Sequence, residues 1–229
     1  MKLDSTSPNP EPEYGSPIDD NTPIEIVDTT THKYFDETRY AIDFICPVGT
    51  PVKAARAGTV VLIKSDSNIL LEPVKWKELV EKAMERVFPT VQEIKADPSL
   101  GVDLEKAMRT VFADSTNRVL NKHDDGTVAE YVHFGEGKVT VKGGQRVEKG
   151  DLIGHTGFSG FMDQPHLHFN VMKSAASDND EPHLYFNVME GEFSATGVSI
   201  RVRFEQKEIQ DAVRRKIGDL TRLDEKTEI

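Results

Sequence analysis

The chain has 229 residues, of which 37% are hydrophobic, and a formal net charge of −11. That suits one domain with a real core, and the acidic balance excludes the basic surface on which nucleic acid or anionic lipid docks. The single cysteine, Cys46, excludes an internal disulfide and leaves the redox compartment open.

Residues 1–23 are rich in Pro, Ser, Asp and Asn and read as a disordered N-terminal arm. They contain no apolar core of the kind a signal peptide needs. The chain is therefore expected either to be cytosolic or to have lost an export segment. No run reaches the ~20 apolar residues required to span a bilayer.

From Ile24 to Phe204 the character is that of a β-domain, with boundaries expected at 24–205. The stretch "YAIDFICPVGTPVKAARAGTVVLIK" (40–64) reads as strand, turn, strand, turn, strand. A second β-rich block begins near Asn117, and "HDDGT" (123–127) divides it as a hairpin turn. Between the blocks, Trp76, Leu79, Val80, Ala83, Met84, Val87 and Phe88 follow helical spacing, as do Leu104, Ala107, Met108, Val111 and Phe112. A helical hairpin inserted over 74–113 is expected. Past His183, "LYFNVME" and "GVSIRVRF" read as further strands, and residues 206–229 read as a C-terminal helix and tail. The expected fold is mainly β, a compact antiparallel sandwich or barrel-like sheet with a helical insertion and a C-terminal helix.

Two of the seven histidines stand out, His166 and His168 in "PHLHFNV". On a strand, residues i and i+2 point to the same face. Two neutral imidazoles gain little side by side in a core, and two charged ones repel; a bound metal resolves the conflict. Asp43, inside the apolar run "YAIDFI", is a carboxylate that must be paired, hydrogen-bonded or bound to a cation. His133 ends a further strand, in "AEYVHF".

Taken in order, "YAIDFICPVGTPVKAARAGTVV", "HDDGTVAEYVHF", "GQRVEKGDLIGHTGFSG" and "PHLHFNV" resemble the lysostaphin-type zinc metallopeptidases, bacterial endopeptidases that cut peptide bonds in peptidoglycan. The resemblance covers roughly residues 30 to 172 apart from the helical insertion. It implies one zinc ion per chain, with Asp43 and His168 as ligands and His133 and His166 as catalytic residues. The family's first histidine ligand usually lies four residues before the aspartate, where this chain has Arg39. The nearest upstream donor is His32, eleven residues before Asp43, and a longer loop is expected to return it to the metal. Three protein ligands leave one zinc position open, as catalytic rather than structural zinc requires.

Beside that ligand set, His123 is expected to be a structural hydrogen-bonding residue, His155 to lie on a glycine-rich loop near the cleft, and His183 to lie on the surface. The resemblance implies peptidoglycan peptides as substrate, a location in the bacterial envelope or outside the cell, and loops bordering the groove. The insertion is read as one wall of that groove or a docking point for a regulatory protein. An inactive relative that regulates a wall hydrolase is the alternative reading, which the Arg39 departure favours. A third is a carrier module, because "VKAARAGTVV" and "GGQRVEKGDLIG" also resemble lipoyl-like half-motifs; no lysine sits in a tight hairpin as that reading requires.

Overall fold

The computed structural model describes residues 12–19, 25–27, 32, 38–71, 115–174, 186–189, 192–195 and 197–213. The expected helical hairpin of 74–113 and His183 lie outside the described residues, as do 214–229 of the expected C-terminal segment.

The three strands expected from 40–64 form as β3 (Ile42–Ile45), β4 (Pro51–Lys53) and β5 (Gly58–Lys64). They are preceded by β1 (Glu13–Tyr14) and β2 (Glu25–Val27), and followed by β6 (Leu70–Leu71). The "HDDGT" hairpin joins β7 (Arg118–Lys122) to β8 (Val128–Val132), antiparallel and in continuous register. Gly126 supplies the left-handed backbone of the turn at φ 82°. Then come β9 (Phe134–Val139), β10 (Arg146–Val147), β11 (Leu152–Thr156), β12 (Gly160–Phe161) and β13 (His166–Ser174). The run "GVSIRVRF" is divided between β16 (Gly197–Ser199) and β17 (Arg203–Phe204), which belong to different sheets. The hairpin β14 (Phe186–Met189) and β15 (Glu192–Ala195) precedes it.

The main sheet has the order β10-β5-β7-β8-β13-β3-β2, with β16 also on β13, and every pairing in it is antiparallel. A three-stranded sheet, β4-β11-β9, supplies Val52 and Ile153 to the same core. Strand alternation sorts the main sheet into two faces. Val119, Tyr131, Phe169 and Ile42 lie on one cross-strand row and enter the core. The adjacent row, Arg118, Val132, His168 and Asp43, projects the other way. The antiparallel β fold expected from the sequence is the fold observed.

The N-terminal arm requires a correction. Within 1–23, β1 pairs in parallel with β17, Ile18 bridges to Val52, and Tyr14 and Ile18 are wholly buried. Tyr14 stacks edge-on against Phe169 and His123, and its hydroxyl is hydrogen-bonded to Thr127. Two apolar residues in a proline-rich stretch suffice to dock it, because each meets a ready apolar surface. At the other end, residues 207–213 are helical, within the segment expected to be a helix, and Ile209 and Val213 join the core. Among the described residues no helix is long and apolar enough to cross a membrane.

Candidate metal centre

His168 and Asp43 are direct cross-strand partners on β13 and β3, so their side chains leave the sheet side by side. His168 Nδ1 lies 3.0 Å from Asp43 Oδ1. His32 reaches the same carboxylate from outside the sheet, with Nε2 3.5 Å from Oδ2. Its backbone carbonyl accepts a hydrogen bond from the Thr38 hydroxyl at 3.1 Å, and Tyr40 N donates to Ser199 Oγ at 3.0 Å. These bonds fasten both ends of the 32–40 stretch, and they account for how a histidine eleven positions upstream meets Asp43.

One donor atom from each of His32, Asp43 and His168 lies within 4.8 Å of the other two. Ligands about 2.0–2.2 Å from a tetrahedral zinc stand roughly 3.3–3.6 Å apart; the 3.5 Å separation of His32 from Asp43 falls in that range, and the 3.0 Å hydrogen-bonded separation of His168 from Asp43 is a few tenths of an ångström shorter. Two imidazoles and a carboxylate are also a donor set that zinc favours. Burial alone would raise the Asp43 pKa. The His168 hydrogen bond, followed by the charges of His32, His168 and His166, outweighs it and holds the carboxyl well below the usual range. Asp43 therefore stays anionic although only 3% exposed.

The expected catalytic histidines stand next to this cluster. His166, on the same face of β13 as His168, has Nε2 3.8 Å from Asp43 Oδ1. Its Nδ1 contacts the Gln164 carbonyl at 2.8 Å; a carbonyl only accepts, so Nδ1 carries a proton and Nε2 is the atom left to accept in the Nδ1–H tautomer. His133 reaches the site by a different route. Val132 shares the face of His168, so a regular strand would send His133 to the opposite face. Instead His133 has φ 74°, a left-handed backbone that histidine tolerates better than most residues. This brings its ring to 4.5 Å from that of His166 and 6.2 Å from that of His168, centroid to centroid. Its Nδ1–H donates to the Ser159 carbonyl at 2.6 Å, leaving Nε2 as an acceptor here too. Burial, and then the neighbouring His166 and His168, push the His133 pKa well below the ordinary value, so the ring is neutral.

The turn that holds His133 needs glycine. Gly157 N donates to the His133 carbonyl at 2.8 Å, and a Cβ on Gly157 would lie 2.2 Å from the Gly135 Cα. Both glycines line a cleft of about 670 Å³ that also includes Val48, Glu136, His155 and Phe158. His155 is thus a cleft residue, although it lies on β11 rather than on a loop. His123 is buried, with Nδ1 2.8 Å from the Ala57 carbonyl. Thr38, Asn117 and Ser159 escape a reading of the sequence, because short polar residues before a strand look like ordinary turn chemistry.

Residues 105–180 match peptidase family M23. This match, over about a third of the chain, and the likeness to a glycyl-glycine endopeptidase support the lysostaphin-type M23 family. The matched stretch contains His133, His166 and His168, whereas His32 and Asp43 precede it. Other M23-like similarities are local. The chain is 38% identical over 55 residues to the cell division protein DipM of Caulobacter vibrioides, a match covering 24% of this chain and 9% of that protein. It is 43% identical over 49 residues to the glycyl-glycine endopeptidase ALE-1 of Staphylococcus capitis, covering 21% of this chain and 13% of that protein. The matched stretches thus span about a tenth of these relatives. Among solved structures, the catalytic domain of lysostaphin from Staphylococcus simulans matches at 25% identity and TM-score 0.36, over 59% of this chain and 67% of that one.

Proposed function

We propose that the chain is a zinc endopeptidase that hydrolyses peptide bonds of bacterial peptidoglycan in the envelope or outside the cell. The observation that carries the reading is the convergence of His32, Asp43 and His168 on one point, with the rings of His133 and His166 beside it, each donating at Nδ1 and accepting at Nε2. ALE-1 is, by its name, a glycyl-glycine endopeptidase, which supports a peptide bond as the target.

His32 Nε2, the Asp43 carboxylate and His168 Nδ1 would hold the metal. Zinc supplies Lewis acidity toward a carbonyl oxygen and lowers the pKa of a water toward about 7. The protein's own contribution is proton handling. With Nδ1–H committed to backbone carbonyls, His133 and His166 first meet the attacking water as proton acceptors at Nε2. A ring that has taken the proton becomes a donor at Nε2, able to stabilise the developing oxyanion and then protonate the leaving amine. Burial holds His133 neutral, keeping it in the accepting form before reaction. The glycine-walled cleft alongside provides an open approach for an extended peptide.

Digestion of purified peptidoglycan, with analysis of the released fragments, tests this reading. Cleavage that stops with a chelator and returns with zinc is expected. Zinc binding without cleavage would instead favour the alternative, a domain that binds and regulates another wall hydrolase. No zinc binding at all would overturn both the metal centre and the peptidase.

A further inference from the structure

Among the described residues His133 is the one non-glycine residue with positive φ, at 74°. Such a backbone persists only where the surroundings over-determine it, and here two fully buried polar residues do so. Asn117 O accepts from His133 N at 2.9 Å. Its side-chain Nδ2 donates to the carbonyls of Phe134 at 3.0 Å and Ser67 at 2.8 Å, and its Oδ1 accepts from Ser67 N at 2.9 Å. Ser159 Oγ accepts from Asn117 N at 3.1 Å and donates to the Phe134 carbonyl at 2.9 Å. The Ser159 carbonyl takes the ring proton of His133.

The His133–Phe134 link is therefore gripped at its backbone N–H, at the next carbonyl and at the imidazole, by two residues that also bond each other. The chemistry dictates the residue types. Asn117 must present two donor hydrogens to carbonyls and an acceptor to an N–H, which neither aspartate nor leucine can do. Ser159 must accept and donate through one small hydroxyl in a site with no exposure.

We propose that Asn117 and Ser159 are the positioning pair of His133, holding its strained backbone and its Nδ1–H tautomer so that Nε2 is presented as proton acceptor. The proposal rests on the catalytic role given to His133 above. Neither residue touches substrate or metal; both act through His133.

The test uses the full zinc-loaded chain and the variants Asn117→Ala and Ser159→Ala, each also combined with His133→Ala. Histidine-ring NMR should show one Nδ1–H tautomer for His133 in the parent, and mixed tautomers or a broadened ring signal in each variant. On a soluble peptidoglycan fragment kcat should fall about tenfold or more, a fraction of the 10²–10⁴ supplied by a placed proton-transfer group. KM and zinc stoichiometry should hold. In the His133→Ala background neither variant should lower kcat further. An unchanged His133 ring signal and kcat in the folded variants would overturn the proposal, as would an equal loss in the His133→Ala background. If Asn117→Ala does not fold, Ser159→Ala decides alone, since it removes only the hydroxyl and keeps the carbonyl that His133 uses. If His133→Ala itself leaves cleavage unchanged, the catalytic reading of His133 fails while the ring spectra still decide whether the pair positions it.

Discussion

His168 and Asp43 face each other across two antiparallel strands, with Nδ1 3.0 Å from Oδ1. His166, two residues earlier on the same strand face, comes no closer to that carboxylate than 3.8 Å. On the proposed function, this difference makes His168 the ligand and His166 its neighbour. His168→Ala should lose zinc, whereas His166→Ala should keep about one zinc per chain and lose cleavage. Elemental analysis after gel filtration checks both. Equal loss of zinc from the two variants would make His166 a ligand.

The Thr38 hydroxyl ties the His32 backbone through its carbonyl. Thr38→Val keeps shape and removes that bond, and should weaken zinc affinity about tenfold, the lower end of the effect of outer partners. Thr38→Ser should restore it. His32→Ala should weaken affinity more, and Arg39→Ala should leave it unchanged. Competition against a chromogenic chelator reads all four, and cobalt substitution should show an altered visible spectrum only where His32 is lost or displaced. Zinc affinity that survives His32→Ala would place the third ligand elsewhere.

Acid should destabilise the domain partly through His123. Burial lowers its pKa, as does the charge of Arg56, against the opposing Ala57 hydrogen bond and the charges of Asp125 and Asp124; Tyr14 packs on its ring. The folded pKa is below the unfolded value of about 6.5, so between the two values the unfolded chain binds the proton and the folded chain does not. Stability is present above about pH 6.5 and is lost as pH falls through that value toward the folded pKa. His123→Asn cannot titrate there, and its melting temperature should fall less between pH 8 and pH 5 than the parent's. Equal slopes would show that His123 contributes nothing to acid sensitivity.

Tyr14 is fully buried within a stretch whose composition reads as a tail. Tyr14→Ala should destabilise by about 3–5 kcal/mol, the usual range for deleting a buried aromatic ring. Trimming residues 1–11 should be far milder than trimming 1–23. Chemical denaturation of the three variants measures this; a Tyr14→Ala domain as stable as the parent would mean the segment adds little to the core.

The parts of the fold written in periodic pattern were legible in the sequence. Asp43 stands out because the residues around it are apolar, and the His166–His168 pair because strand alternation puts both on one face. The β7–β8 hairpin is legible through "HDDGT". What pattern cannot carry is the conformation of a single residue. Nothing in "YVHF" announces that His133 turns left-handed and so faces the site; that depends on Asn117 and Ser159, 16 residues before it and 26 after it. Tyr14 hides for the opposite reason. Local composition argues against order, and a long-range meeting with Phe169 and Thr127 overrides it. His32 could be nominated only as the nearest available donor, because its return depends on single hydroxyl bonds that spacing does not encode.

Ser67 Oγ donates to the Ser115 carbonyl at 2.6 Å, and Asn117 is bonded to both the N–H and the C=O of Ser67. The two described ends that flank residues 72–114 are thus bolted to each other directly. The closure of β5 on β7 rests on bonds between residues on the two sides. A change in that span should therefore leave the β5–β7 register in place.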